Sequence, residues 1–136
     1  MAVFVATDYK ITINGTNFSA NLTQAELSQE AADVETTAFG SGWTTRVSGL
    51  KSASLTLSFN QDFGASSVDA TLSPLLGSLA TVTMVPVGTN GTSATNPVYS
   101  GTFLVTQYTP FSASIGDLAT LDVTWPASGT VSRATA

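Results

Sequence analysis

The sequence predicts a mainly β protein with one short helix. Apolar and polar residues alternate with period two in several segments, the pattern of strands with one face on a core and one in solvent. One segment instead spaces its apolar residues as one face of a helix does. The length of 136 residues suits a single domain spanning residues 1–136.

The clearest strand covers residues 51–60. Alternate positions from Ala53 to Phe59 are apolar, which predicts a face that packs on a core. The opposite face carries only hydroxyl side chains, and we call it the hydroxyl row. The hydroxyl row consists of Ser52, Ser54, Thr56 and Ser58.

Shorter alternating segments predict further strands. Asn14-Gly15 is a strong hairpin turn signal after the first of them, and Pro126 closes the last. The segment 102–108 is apolar on both faces for part of its length, which is typical of a central or interface strand. The weakest candidate is 35–39. The predicted strands are residues 9–13, 35–39, 81–85, 102–108 and 121–125.

The helical pattern lies between residues 68 and 76. Ser66 or Ser67 is a suitable N-cap, and Gly77 is a suitable end. Pro74 lacks a backbone donor, so we expect a short helix with a tightened last turn. The apolar face consists of Val68, Leu72, Leu75 and Leu76.

Residues 40–49, 88–97 and 112–117 predict loops, and residues 128–136 predict a flexible C-terminal arm. Trp43 in the first loop suits two roles, an anchor on its own core or a contact with another subunit. Arg46 likewise suits a solvated charge or a pair with an acidic residue of another copy.

Composition excludes several functions. Charged residues make up 10% of the chain, against about 25% in an average globular domain, while serine and threonine fill 39 positions. The net charge is −5, and the four cations are scattered, so phosphate neutralisation of nucleic acid is not expected. Cysteine and histidine are absent, which excludes disulfides, thiolate metal sites and the usual general base.

No arrangement of residues indicates catalysis, a cofactor or a metal. Asp33 and Glu35 would share a strand face, and Glu26, Glu30 and Asp33 would share a helix face, but no base neighbours them. Lys51 and Ser52 would point to opposite faces of a strand. Asp62 and Asp69 lack the spacing of a calcium loop, and no phosphate-binding loop is present.

Targeting signals are not evident. Residues 1–9 lack the basic and long apolar regions of a secretory signal, and no window has the roughly 18 apolar residues of a membrane span. We therefore expect a soluble protein made in a cytoplasm, without membrane contact. Asn-x-Ser/Thr triplets start at Asn14, Asn17, Asn21 and Asn90 and are expected by chance in so hydroxyl-rich a chain.

Several runs, in order, resemble a known family. Residues 13–19 (INGTNFS), 35–40 (ETTAFG) and 49–55 (GLKSASL) are similar to the tail tube, or major tail, proteins of long-tailed bacteriophages. A second set resembles phages of actinobacteria in particular, and the likeness extends over residues 9–133. That set is 60–63 (NQDF), 68–70 (VDA), 74–77 (PLLG), 96–101 (NPVYSG) and 123–126 (VTWP).

The resemblance implies a β-sandwich or half-barrel with one helix. It implies that six copies form a ring, that each copy adds four strands to an inner β-barrel, and that rings stack into a tube. Such a protein belongs to the virion tail and is assembled in the bacterial host cytoplasm. Its partners would be further copies of itself and tail proteins such as the tape measure and terminator, while DNA passes through without specific binding.

The resemblance also assigns roles to residues. The hydroxyl row is the best candidate for the lumen, because small hydroxyls and carboxylates do not bind phosphate; the alternative is an outer face in solvent. The loop around residues 40–49 is expected to reach a neighbouring subunit, in the adjacent ring. The predicted contact residues are Phe39, Trp43, Arg46 and Val47.

Other functions fit less well. A capsid decoration or tail-completion protein keeps the phage context. A carbohydrate-binding β-sandwich module suits the composition but would need a planar row of exposed aromatic side chains. A small hydrolase lacks a base.

Overall fold

The computed structural model describes residues 5–89 and 91–135. Three parts of the predictions lie outside the described residues. They are residues 1–4 of the N-terminal stretch, Asn90 of the predicted 88–97 loop, which starts an Asn-x-Ser/Thr triplet, and Ala136 of the predicted C-terminal arm.

Strands dominate the described chain, with one short helix. The elements are β1 (Lys10–Ile13), β2 (Thr16–Asn17), β3 (Leu22–Glu35), β4 (Arg46–Asn60), α1 (Val68–Leu72) with a following 3-10 turn (Ser73–Leu75), β5 (Leu79–Val85), β6 (Val98–Leu104), β7 (Thr120–Pro126) and β8 (Ser132–Ala134).

Two antiparallel sheets pack into a sandwich. One sheet has the order β2-β1-β5-β6-β8, and the other has the order β3-β4-β7. The predicted alternation places every second side chain between the sheets, where fifteen apolar residues of the described chain form the core. The predicted fold class is therefore confirmed. The largest fully buried side chains are Trp125, Phe59, Phe103, Ile11, Ile13, Leu55, Leu57, Leu72 and Leu121.

Local signals for the first turn and the helix are also confirmed. Asn14 and Gly15 have φ angles of 49° and 88°, the left-handed pair that a two-residue hairpin requires. The helix ends in a 3-10 turn that contains Pro74, and Gly77 follows with a φ of 85°. Ser67 is the N-cap, but its side chain makes no capping bond.

Strand β3 was not predicted, and it is among the longest in the molecule at 14 residues. Its sequence, LTQAELSQEAADVE, is rich in helix formers and poor in β-branched and aromatic residues. Pairing with β4 along almost its whole length overrides that local preference. Glu26, Glu30 and Asp33 therefore lie on a strand, and the helix face considered for them is wrong.

Three other boundaries differ from the predictions. β4 begins at Arg46, so residues 46–49 of the predicted loop are strand, and the connecting loop is 36–45. β6 ends at Leu104, which leaves most of the predicted 102–108 strand irregular. Within the predicted flexible arm, Ser132–Ala134 pair with β6, because that strand still has a free edge there.

Candidate functional site

The hydroxyl row lies on the outer face of the three-stranded sheet. Leu55, Leu57 and Phe59 of β4 are fully buried, and the residues between them point away from the core. Ser52 is exposed, while Ser54, Thr56 and Ser58 are half-buried among the side chains of the neighbouring strands. Alternation alone was enough to place this row.

The neighbouring strands make this face acidic. Opposite the row, β3 contributes Glu26 beside Thr56 and Glu30 beside Ser52, and β7 contributes Asp122 beside Ser58. None of the residues that pair with the row is Lys or Arg. We call the outer, solvent-facing side of the sheet formed by β3, β4 and β7 the polar face. Three carboxylates and a row of hydroxyls give it a negative potential that disfavours phosphate.

The two glutamates of the polar face were missed in the sequence. A signal was present, since Ala25 and Leu27 are apolar and alternate with Glu26 and Ser28. The helix-forming composition of the segment hid that alternation.

The second candidate site is a β-hairpin that projects beyond the sandwich. β7 pairs with β4 only from Ser54 onward, so residues 46–52 have β3 as their sole strand partner in the described chain. At about 3.3 Å per residue these residues extend roughly 20 Å. We call residues 30–51 the hairpin arm. A two-stranded ribbon without a core beneath it is only marginally stable in water, so a covered arm is favoured over a free one.

The tip of the arm is apolar and fully exposed. Phe39 is 108% exposed and Trp43 is 87% exposed, so Trp43 is not an anchor on its own core. Hydrogen bonds shape the loop: the Thr36 amide donates to the Thr45 carbonyl at 2.8 Å, and the Thr45 amide donates to the Thr37 hydroxyl at 2.9 Å. The loop is therefore formed without burial of its aromatic side chains.

The other two predicted contact residues of the arm, Arg46 and Val47, both lie at the start of β4 and face residues of β3. The Arg46 guanidinium lies 2.6 Å from the Asp33 carboxylate, across the hairpin, with both side chains about half exposed. That pair joins the strands within one chain and is worth less than about 1 kcal/mol in solvent. Val47 lies opposite Val34, and both are about half exposed. They extend the apolar surface of the tip down the arm.

A hydrogen-bonded network orders the loops at the opposite end of the sheet. The side-chain amide of Gln61 donates to the Pro110 carbonyl at 2.8 Å and to the Tyr108 hydroxyl at 3.2 Å. The Tyr108 hydroxyl donates to an Asp69 carboxylate oxygen at 2.7 Å. Loop 105–119 is thus tied both to the end of β4 and to α1.

Two side chains near this network have shifted pKa values. Hydrogen bonds from the Ser67 hydroxyl and the Gly64 amide lower the pKa of Asp62. Burial, together with the nearby Asp69 carboxylate, raises the pKa of Tyr108 to about 12. The environment of Tyr108 therefore favours the protonated phenol that donates to Asp69.

The raised pKa of Tyr108 predicts that the folded chain loses stability at high pH. The pKa of Tyr108 in the folded state lies above the ordinary tyrosine value of about 10, so its contribution to stability is complete below about pH 10 and is lost as the pH rises toward about 12. We expect the difference in unfolding free energy between the chain and Tyr108→Phe to shrink across that interval. Urea titrations at pH 8, 10 and 11.5 measure it; a difference that stays constant would contradict the assignment.

Two clefts on the surface of the described residues carry titratable side chains. A cleft of about 480 Å³ between the sheets is lined mainly by apolar side chains, with Tyr9, Lys10 and Tyr99 as its titratable groups. A cleft of about 600 Å³ lies beside the base of the arm and is lined by Glu30 and Lys51 among small and polar residues. Neither contains a nucleophile held by a base.

Among residues 5–89 and 91–135, no cluster of three or more acidic, His or Cys side chains is placed to hold a metal. Within the same described part, no helix has the length and apolar character needed to cross a membrane.

The fold has relatives among solved structures. A chain in the virion of a native gene transfer agent particle superposes with a TM-score of 0.76 and 17% identity, covering 96% of this chain and 98% of that one. A chain in the tail of an empty gene transfer agent particle, computed with helical refinement and C6 symmetry, gives 0.69 and 18%, covering 91% and 92%. The chain shares the fold of these particle proteins. No family model and no curated protein sequence matches it.

Proposed function

We propose that this chain is a structural protein of a phage-like virion tail, and specifically the subunit of the tail tube. The observation that carries the proposal is the common fold, over 91% of the chain, with a chain of a C6-symmetric tail. The role is structural: the proposal gives the protein no catalytic residue, cofactor or metal. A closer likeness to phages of actinobacteria stays a prediction from the sequence.

In this proposal six copies form a ring, and their three-stranded sheets join edge to edge. β3 and β7 are the edge strands of that sheet, and joining them to neighbours would satisfy their free backbone groups. The resemblance implied four strands per copy, whereas this sheet has three in the described chain. Six copies of three strands at ~45° tilt would give a barrel about 40 Å across between backbones.

The polar face lines the lumen in this arrangement. The lumen-facing residues are Ser52, Ser54, Thr56 and Ser58, with Glu26, Glu30 and Asp122 beside them. A conduit must not hold what passes through it, and a face of hydroxyls and carboxylates offers no cation to phosphate. DNA would therefore move through without specific binding.

The hairpin arm joins neighbouring subunits, in the adjacent ring. Its contact residues are Phe39, Trp43, Arg46 and Val47, of which the two aromatic residues are the most exposed. Rings stacked in this way form the tube, with the tape measure and terminator as further tail partners. Assembly takes place in the cytoplasm of the bacterial host.

Lysines on the polar face test the lumen directly. We expect Ser54→Lys with Thr56→Lys to leave tubes intact but to slow genome ejection, because twelve added cations per six-copy ring would bind the phosphates of passing DNA. The matched control is Thr81→Lys with Thr83→Lys, which adds the same charge to the other sheet.

Negative-stain microscopy scores the tubes, and DNA release from particles carrying each variant scores ejection. Slowed ejection in the polar-face variant alone supports the proposal. Unchanged ejection in that variant places the polar face outside the lumen. A purified protein that forms neither rings nor tubes argues against the tube role altogether.

A further inference from the structure

A second exposed apolar surface lies at the end of the sheet opposite the hairpin arm. Phe63 follows β4, and Phe111, Ile115 and Leu118 lie on the loop that precedes β7. They are 56%, 82%, 105% and 71% exposed. We call these four residues the loop patch.

Ring contact and hydrogen bonds hold the loop patch together. The rings of Phe63 and Phe111 have their centroids 5.6 Å apart and their planes tilted by 30°. Gln61 fixes both sides of the loop, because its side chain donates to the Pro110 carbonyl and its backbone amide donates to the Ala119 carbonyl at 2.9 Å. Two aromatic rings in mutual contact, held in solvent by a hydrogen-bonded loop, are typical of a contact surface.

The arm tip and the loop patch cannot meet within one molecule. They lie at opposite ends of β4, whose 15 residues span about 50 Å at ~3.3 Å per residue. Two different, complementary surfaces on one subunit make a head-to-tail contact, which either closes into a ring or repeats as an open stack, and their position at opposite ends of a long strand favours the open stack. Such a contact builds a stack along the strand direction.

We propose that the loop patch receives the tip of the hairpin arm from a second copy of this chain. This inference rests on the proposed function, since it names the surface by which stacked copies recognise each other. Phe39 and Trp43 of one copy would pack on Phe63 and Phe111 of the next.

The area available suits a stable contact. Four aromatic side chains of about 150–250 Å² each bury roughly 600–1,000 Å² in total, and Ile115 and Leu118 add to that. A standard interface buries about 1,600 Å². One arm therefore supplies about half of such an interface, and a ring would repeat the contact in each copy, which multiplies its strength.

Charge is not the driving force of this contact. The arm, residues 30–51, carries three acidic and two basic residues, and no Lys or Arg occurs between residues 52 and 132. The contact is chiefly apolar, so we expect stacking to persist in 1 M salt, where attraction between exposed charges is screened within about 3 Å.

Disulfide trapping tests the inference, because the chain contains no cysteine. Ser41→Cys in the arm tip and Ser112→Cys beside Phe111 are both at exposed positions. A disulfide needs Cα atoms within about 7 Å, so these two cysteines can join only between copies. Under mild oxidation we expect a ladder of covalent multimers. Ser41→Cys with Ala94→Cys, on an exposed loop outside the patch, is the control.

A second variant tests the same contact without cysteine. Phe63→Ser with Phe111→Ser should leave the thermal melting of the subunit unchanged and reduce the product of assembly to single rings in negative-stain images. Covalent multimers from the Ser41→Cys, Ser112→Cys variant, together with assembly of the double serine variant that stops at single rings, support the inference. The inference is overturned, while the tube role stands, if the double serine variant forms normal tubes or if only the Ser41→Cys, Ala94→Cys variant forms covalent multimers. If the unaltered chain fails to assemble, both the inferred contact and the proposed tube role are overturned.

Discussion

Trp43→Ala is expected to abolish tube stacking while leaving the subunit folded. The indole is 87% exposed and makes no ring contact in the described chain, so its removal costs the isolated subunit almost nothing. At the centre of an interface, a tryptophan contributes about 2 kcal/mol or more to binding, so its removal weakens each contact by at least about 30-fold. Multiplied around a ring, that loss prevents stacking.

Thermal melting by circular dichroism and negative-stain imaging separate the two effects. Trp43→Phe, which keeps an aromatic ring, serves as the control and should retain tubes. A Trp125→Phe background leaves Trp43 as the only tryptophan, and its emission should shift to shorter wavelength on assembly as the indole leaves water. Early melting of the Trp43→Ala subunit would place Trp43 in its own core. Tubes of normal length would show that the arm does not join rings.

Trp125→Ala is expected to have the opposite outcome, a large loss of stability. Trp125 is 0% exposed at the centre of the sandwich, and its indole N–H donates to the Gln107 carbonyl at 3.0 Å. Replacing a buried tryptophan by alanine costs about 3–5 kcal/mol through lost contacts and the remaining cavity. Since domains of this size are stable by only about 5–15 kcal/mol, the variant should lose a large share of its unfolding free energy.

Urea unfolding followed by circular dichroism measures this loss, in a Trp43→Ala background so that stacking of rings does not add to stability. Trp125→Phe is the matched control. It retains most of the ring volume but loses the hydrogen bond, so it should cost much less than the alanine variant. Equal unfolding free energies for the alanine variant and its background would contradict the role of Trp125 as a core residue.

The sequence alone determined the parts of the fold that have a strong local signal. Alternation over residues 51–60 separated Leu55, Leu57 and Phe59 from the hydroxyl row, because a strand has only two faces. Asn14-Gly15 and Pro74 predicted a turn and a tightened helix end, since their backbone preferences act within a few residues. Composition likewise indicated a chain with no histidine or cysteine chemistry.

Tertiary structure decided what depends on distant partners. β3 has helix-forming residues, and only pairing with β4 makes it a strand, which brings Glu26 and Glu30 onto the polar face. Residues 109–119 carry no strand pattern, so nothing in the sequence indicates that Phe111 contacts Phe63. That contact follows from the hydrogen bonds of Gln61 and Tyr108, which hold the loop beside the end of β4. For residues other than proline, local helix propensity differs by at most about 1 kcal/mol per residue, and in β3 the long-range pairing with β4 exceeds it.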